Sequence, residues 1–380
     1  VTDGRTDIAR RLDATLLELC AVASPIGEEK ALCDAVAARM APIANAAAGG
    51  VRRYGDSIVV PITRGRGPRV ALVGHLDTVR TENGPARIAG DRCFGSGASD
   101  MKSGLAVMIA VAETLPLARL ACDLTLVFYA REEGPFAENE LGPVLAQDPD
   151  LRSVDLAVCM EPSDNKIHLG CMGSLHATVT FRGKTAHSAR PWEGENAVTR
   201  AAPFLADLAA RKPEVSVIDG QTYRSVMTVT QARDGGRGRN VVPDVFVLNV
   251  NARFAPDRSI EAAEQEVIAL VGAAHGPDEG ADRSNRAEVT FTDRSPAALP
   301  NANHPLVQRL AASGVRGIEP KQAWTDVARF AQLGIAAVNF GPGENAQAHQ
   351  KNESTSLALV HEGYAIVARW LKSLGPGASP

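Results

Sequence analysis

Arg69-Val70-Ala71-Leu72-Val73-Gly74-His75-Leu76-Asp77-Thr78 is a short apolar run that ends on a glycine, a histidine and an aspartate. A run of this length without polar alternation fits a strand buried on both faces, as in a parallel sheet. Similar runs recur at Leu124 to Ala130, Val154 to Met160 and Ile335 to Phe340. Helical spacing lies around and between them, at Ile8 to Val22, Glu28 to Met40 and Met101 to Leu115. The last of these places Leu105, Met108, Ile109, Ala112 and Leu115 on one stripe. Alternating strands and helices predict an α/β fold.

Each predicted strand runs into a potential metal ligand. His75 follows the first strand, Glu132 and Glu133 the second, and Glu161 the third. Asp100 is expected at the N-cap of the helix that starts at Met101. His349 falls in the loop after the fourth strand, beyond Gly341-Pro342-Gly343. Sites in open α/β sheets form outside the carboxyl ends of the strands, so residues remote in sequence can meet at one edge. Imidazole and carboxylate ligands without thiolate suit zinc and its neighbours, and the set reads as a two-metal hydrolytic site.

Asp77 lies two residues after His75, and in an extended segment such residues point the same way. Its carboxylate is therefore expected to orient the imidazole. The adjacent pair Glu132-Glu133 is costly at a buried strand end without a cation. A metal removes that cost for one of them, and the other is free to take a proton from water. The pattern alone leaves open which does which.

The middle of the chain has a different rhythm. Leu175 to Phe181 alternates, Ala197 to Arg211 is helical with Asn196 as N-cap, and strands follow at Ser225 to Gln231 and Val245 to Phe254. A helix at Ser259 to Ala274 and a strand at Glu288 to Thr292 complete the order β-α-β-β-α-β, a ferredoxin-like arrangement. Asn249, Asn251 and Arg253 share its polar sheet face, opposite Phe246, Leu248 and Val250. An inserted α+β domain over residues 174–294 thus separates two parts of a catalytic domain, 1–173 and 295–380.

Composition narrows the classes. A chain of 380 residues favours two domains. A formal net charge of -4 gives no basic field for nucleic acid or an anionic membrane. No apolar run reaches the about 18 residues of a transmembrane helix. The opening Val1-Thr2-Asp3-Gly4-Arg5-Thr6-Asp7 lacks a signal peptide's apolar core. Six scattered cysteines, none in a Cys-x-x-Cys pair, are expected as buried reduced thiols, which points to a cytoplasmic protein. Flexible-looking composition is confined to Asp234 to Arg239 and Gly375 to Pro380.

Several motifs now carry a resemblance. Gly74-His-Leu-Asp-Thr78, Ser99-Asp-Met-Lys-Ser-Gly104, Glu132-Glu133, Glu161-Pro-Ser163, Gly183-Lys-Thr-Ala-His187 and His349-Gln-Lys-Asn-Glu353 resemble the aminoacylase/carboxypeptidase family of co-catalytic zinc amidohydrolases. The likeness runs from residue 8 to residue 372. It implies a zinc exopeptidase-like catalytic domain with an inserted ferredoxin-like dimerisation domain, a homodimer, and two Zn2+ per chain, with Co2+ able to substitute. Asp100 would bridge the ions, His75 and Glu161 would complete one site, and Glu133 and His349 the other. Glu132 would be the general base. His187 would reach the partner subunit's active site and help hold the oxyanion. Asn240 and Arg253 in the insert, and Thr325 in the catalytic domain, would contact a small acidic N-acyl amino acid. Arginine suits such a carboxylate because it can bind it bidentately.

Trp324-Thr-Asp-Val-Ala-Arg-Phe330 and Ala337-Val-Asn-Phe-Gly-Pro342 look most like the branch of that family that cleaves N-succinyl-LL-2,6-diaminopimelate to succinate and LL-2,6-diaminopimelate, in lysine and cell-wall precursor synthesis. The chain departs from the family where many members have Gly-Gly-Thr-Ser-Asp and it has Ala323-Trp324-Thr325-Asp326, and where Gly-Arg-Gly is common and it has Gly95-Ser96-Gly97. Both changes bear on the acyl pocket and leave the ligands intact. Within the family the alternatives are deacetylation of N-acetylornithine and a glutamate-type carboxypeptidase. A catalytically silent, metal-stabilised binding protein is a further class, against which the intact Glu132-Glu133 pair argues.

Overall fold

The computed structural model describes residues 2–47, 49–65, 67–235, 238–273 and 287–375. Along the chain come α1 (Thr2–Ala21), α2 (Lys30–Ala46), β1 (Arg52–Tyr54), β2 (Ser57–Pro61), β3 (Arg69–His75), β4 (Arg87–Ala89), β5 (Arg92–Phe94), α3 (Lys102–Thr114), β6 (Asp123–Tyr129), α4 (Leu141–Gln147), β7 (Leu156–Cys159) and β8 (Ile167–Leu169). Then follow β9 (Gly173–Arg182), α5 (Ala197–Arg200), α6 (Ala202–Ala210), β10 (Glu214–Ile218), β11 (Gln221–Asp234), β12 (Val245–Phe254), α7 (Ile260–Ala273) and β13 (Glu288–Ser295). The chain ends through α8 (Pro305–Ala311), β14 (Ile318–Pro320), α9 (Val327–Gln332), β15 (Ala336–Asn339), β16 (Ser354–Ser356) and α10 (Leu357–Ser373). Two compact units result. One comprises Val1–Gly170, Pro300–Pro320 and Thr325–Pro380, the other Cys171–Leu299 and Lys321–Trp324.

The first unit holds an eight-stranded sheet of order β1-β2-β6-β3-β7-β15-β8-β14. The four expected strands are its parallel centre, β6, β3, β7 and β15. They read as unbroken apolar runs because both faces are covered. The outer strands β1, β8 and β14 and the small sheet β16-β5-β4 have no such signature, being only three residues long, whereas β2 is buried throughout. Helix α3 is buried from Lys102 to Ala112. Gly104 in its first turn lets it lie against β7, since a Cβ there would come within 2.4 Å of the Met160 carbonyl oxygen. Asp100 does not cap this helix. Met101 holds the N-cap position without a side-chain bond, because the Asp100 carboxylate faces His75 instead.

The parallel register aligns the strand ends that matter. His75 pairs with Tyr129, and Val73 with Cys159. The amides of Leu76, Met160 and Phe340 donate to Tyr129, Val73 and Cys159 at 2.7, 2.8 and 2.9 Å. The residues immediately after β3, β6, β7 and β15 therefore leave the sheet along one edge.

The second unit is an antiparallel sheet of order β10-β11-β12-β9-β13. Leu175, Ala177, Val179 and Phe181 of β9 and Leu248, Val250, Ala252 and Phe254 of β12 pack with Phe204 of α6 and Val267 of α7. One strand goes beyond the expected order. It is β10, joined to β11 by Asp219-Gly220, both with positive φ (48° and 75°), as a tight hairpin requires. Asn196 caps α5 by accepting from the amides of Val198 and Thr199. The helix expected to run unbroken from Ala197 to Arg211 divides at Ala201, because Pro203 cannot donate the bond that would carry α5 into α6.

This unit extends past the 174–294 read from periodicity. Cys171 and Ala298 pair through reciprocal main-chain bonds of 3.1 Å. Residues 321–324 also belong to it, through the Trp324 indole donating to Pro296 O at 2.9 Å and the Gln322 amide to Thr222 O at 2.9 Å. Ala274, residues 236–237 of the flexible-looking Asp234 to Arg239, and residues 376–380 lie outside the described residues. No described helix is long and apolar enough to cross a membrane.

Candidate metal centre

His75 ends β3 with its side chain fully buried. Its Nδ1 lies 3.0 Å from the Asp77 main-chain oxygen, so the ring donates there and turns Nε2 inward. Nε2 is 3.3 Å from Asp100 Oδ1. The Asp77 carboxylate was expected to do the orienting, yet it stands 3.6 Å from Nδ1. It accepts instead from the amides of Glu132 at 3.0 Å and Glu133 at 2.9 Å. The same-side rule for i and i+2 holds in a strand, and β3 stops at His75.

Asp100 sends its two oxygens to different imidazoles. Oδ1 faces His75, and Oδ2 lies 3.7 Å from His349 Nε2. His349 Nε2 also lies 2.9 Å from Glu133 Oε2. One donor atom from each of His75, Asp100 and Glu133 falls within 4.8 Å of the others. Glu161, buried at the end of β7, stands outside that trio but adds its charge to the fields at His75 and Glu132. Arg131 and His349 hold left-handed backbone conformations, with φ of 64° and 61°. Non-glycine residues adopt these rarely, and mostly where the surroundings enforce them.

The electrostatics call for a cation. Burial pushes the Glu132 carboxyl well above the ordinary range, and the charges of Glu161 and Glu133 push it further. Burial also raises Glu133, against the hydrogen bond from His349. Burial alone would lower His75, but the Asp100 hydrogen bond and the charges of Asp77, Glu161 and Glu132 carry it well up. The bond to Glu133 lifts His349 to about 9. Glu132, Glu133, His75 and His349 are thus all drawn toward holding a proton, which is what a crowd of carboxylates does when positive charge is short. The donors are nitrogen and oxygen only, a set that fits borderline and harder divalent ions.

The remaining predicted residues are spread wider. His187 and Asn240 are exposed neighbours in the second unit, joined by the Ser188 amide donating to Asn240 O at 2.9 Å. Arg253 lies on the polar face of β12, where Nε donates to Asn251 Oδ1 at 3.0 Å and burial lowers its pKa. Thr325 is buried in the first unit, beside Asp326.

Glu353 went unnoticed in the sequence except as the end of a motif. It is buried, and its carboxylate accepts from the amides of Gly97 (2.9 Å), Ser99 (2.8 Å) and Asp100 (2.9 Å). Burial raises it to about 7, against the pull of those three amides. It shapes the loop that delivers Asp100. Its partners lie about 250 residues earlier in the chain, so no local pattern could announce it.

The model of peptidase family M20/M25/M40 matches residues 71–373. The DapE protein of Mycobacterium tuberculosis is 39% identical over 320 residues, 84% of this chain and 86% of that protein. A succinyl-diaminopimelate desuccinylase of Corynebacterium glutamicum is 35% identical over 353 residues, 92% of this chain and 93% of its own. Among solved structures, the Bacillus subtilis YXEP protein, described as a dinuclear metal binding peptidase, shares the fold with a TM-score of 0.69 at 15% identity, covering 97% of this chain and 98% of that one.

Glu353→Ala leaves three buried amides without an acceptor, and each such loss costs about 1–3 kcal/mol. Urea unfolding of the metal-free protein is expected to show a loss of about 3 kcal/mol or more. Glu353→Gln retains one oxygen acceptor and is expected to lose less than half as much. Equal losses would show that the glutamine oxygen does not take over any of the amides, and a negligible loss in Glu353→Ala that they find other partners.

Proposed function

The chain belongs to peptidase family M20/M25/M40, and from that premise we propose that it hydrolyses N-succinyl-LL-2,6-diaminopimelate to succinate and LL-2,6-diaminopimelate. The observation that carries the reading is 35% identity to the Corynebacterium glutamicum desuccinylase across 92% of the chain. The family is hydrolytic and metal-dependent. His75, Asp100, Glu133, Glu161 and His349 would hold two zinc ions, with cobalt able to substitute and Asp100 shared between them. When bound, the ions polarise the scissile carbonyl and make water acidic enough to attack near neutral pH.

The chain's own residues do the rest. Asp77 fixes the turn through the Glu132 and Glu133 amides, and with its main-chain oxygen it fixes the tautomer of His75. Glu132 accepts the proton of the attacking water and returns it to the departing amine. The water oxygen joins the carbonyl carbon, the carbon–nitrogen bond breaks, and the amine leaves protonated. Arg253 would select the substrate's carboxylate, with Asn240 and Thr325 as further contacts. We take the active form to be a cytoplasmic homodimer in which His187 serves the partner subunit's site. Six free, buried cysteines support a reducing compartment. A zinc-supplied panel of N-succinyl-diaminopimelate, N-acetylornithine and an N-acylglutamate tests the substrate. Preference for either of the latter two would replace the proposed reaction.

Glu132→Gln is expected to bind as much zinc as the wild type and to lose about 10²–10⁴-fold in kcat, the usual share of a general base. Glu133→Gln is expected to lose one metal equivalent by elemental analysis. Swapped phenotypes would reverse the two roles.

Arg253→Lys tests carboxylate selection, since lysine cannot grip bidentately. A charge-assisted hydrogen bond of about 1.5–3 kcal/mol corresponds to roughly 10–150-fold in kcat/KM. Most of that loss should fall on the natural acid and little on its carboxamide. Equal loss on both would make Arg253 a structural residue.

His187→Ala chains mixed with Glu132→Gln chains should regain activity, because one site of the hybrid is intact. Verified hybrids without activity would place His187 in its own subunit's chemistry or outside it.

A further inference from the structure

Behind the metal centre the first unit contains a connected set of buried polar groups that the reaction described above does not use. The Asp326 carboxylate is its hub and is wholly buried. Its Oδ2 accepts from the Tyr129 hydroxyl at 2.7 Å and from Asn139 Nδ2 at 2.8 Å. Its Oδ1 accepts from Arg329 Nε at 2.6 Å. The Arg329 guanidinium also donates to the Phe136 main-chain oxygen and lies 3.8 Å over the Phe136 ring. Asn139 turns its own oxygen to the Leu141 amide at 2.8 Å.

These contacts converge on one stretch of chain, the connection from β6 to α4 that carries Glu132 and Glu133. Tyr129 is its last strand residue, Phe136 sits in its middle, and Asn139 lies near its end. Asp77 holds the same connection from the other side through the two glutamate amides. Within it, Arg131 keeps a positive φ immediately before Glu132. The Tyr129 ring stands edge-on to His75, with centroids 6.2 Å apart and planes at 75°.

Stability alone is a weak account of this arrangement. A buried ion pair is often matched or bettered by apolar packing of the same volume. Directional bonds from three side chains to one carboxylate instead restrict where a backbone segment can sit. A proton-transfer step gains from such restriction, because a displacement of about 1 Å can cost 10²-fold in rate.

We propose that Asp326 is a positioning residue for the proton-transfer step, setting the Glu132 carboxylate through the Tyr129 hydroxyl and the Asn139 amide. The inference rests on the reading of Glu132 as the base. Asp326 touches none of the reacting atoms and acts only through the connection it anchors.

The test uses zinc-loaded full-length protein and a double-mutant cycle. Tyr129→Phe removes one hydroxyl and keeps the ring beside His75. It is expected to lower kcat about 10-fold, with KM within about twofold and zinc content unchanged. In a Glu132→Gln background the same substitution should cost less than about twofold, because the group being positioned is gone. Asp326→Asn, which keeps an acceptor but drops the charge paired with Arg329, should follow the same pattern with a larger kcat loss. If it does not fold, Tyr129→Phe and Asn139→Ser carry the cycle. Equal fold-losses in both backgrounds, an unchanged kcat, or a kcat loss that tracks zinc loss would each overturn the proposal. A wild type inactive on N-succinyl-diaminopimelate is a separate failure of the substrate reading, and the cycle is then run on whichever N-acyl amino acid the panel shows to be cleaved. Full activity in Glu132→Gln would sink the base assignment, and this proposal with it.

Discussion

Five carboxylates, those of Asp77, Asp100, Glu132, Glu133 and Glu161, are gathered along the carboxyl edge of one sheet, and keeping so many acids together is the constraint on which the first unit depends. Each is dealt with differently. Asp77 accepts from two main-chain amides. Asp100 and Glu133 face imidazoles. Burial and the charges of Glu161 and Glu133 raise the cost of ionising Glu132, an imbalance that divalent ions correct. Two further buried acids lie one layer out, Glu353 under three amides and Asp326 under Arg329, Tyr129 and Asn139. The outer two bind loop amides and side chains, and the sheet register brings the inner five to one edge.

The centre of the fold was legible because burial on both faces leaves an unmistakable trace. β3, β6, β7 and β15 appear in the sequence as unbroken apolar runs, and the ligand-type residues directly after them could be aligned on one edge. Strands of three residues such as β8 and β14 are too short to leave such a trace, and β10 exposes Val215 and Val217, so its pattern lacks a buried face. The Asn196 cap could be read locally because its partners are two and three residues away.

Misreadings arose where a local rule competed with a distant partner. Asp100 looked like a helix cap because a cap is judged from the residues after it, whereas its side chain answers to His75, 25 residues earlier. Asp77 was expected to serve its near neighbour, yet its carboxylate bonds amides 55 and 56 residues on. Asp326 is bound by Asn139 and Tyr129, 187 and 197 residues before it, so its contacts are invisible without the topology. Pro203 is the opposite case, a break that local chemistry announces and periodicity overrode.

The reciprocal main-chain pair between Cys171 and Ala298 has a consequence for how the gene could have been assembled. Antiparallel residues that exchange both main-chain bonds have Cα atoms about 5.5 Å apart, so the chain enters and leaves the second unit at almost the same point. Apart from the short return of residues 321–324, that unit is a cassette hung on a single doorway. Its loops and its length can vary without moving the point at which the chain enters and leaves it.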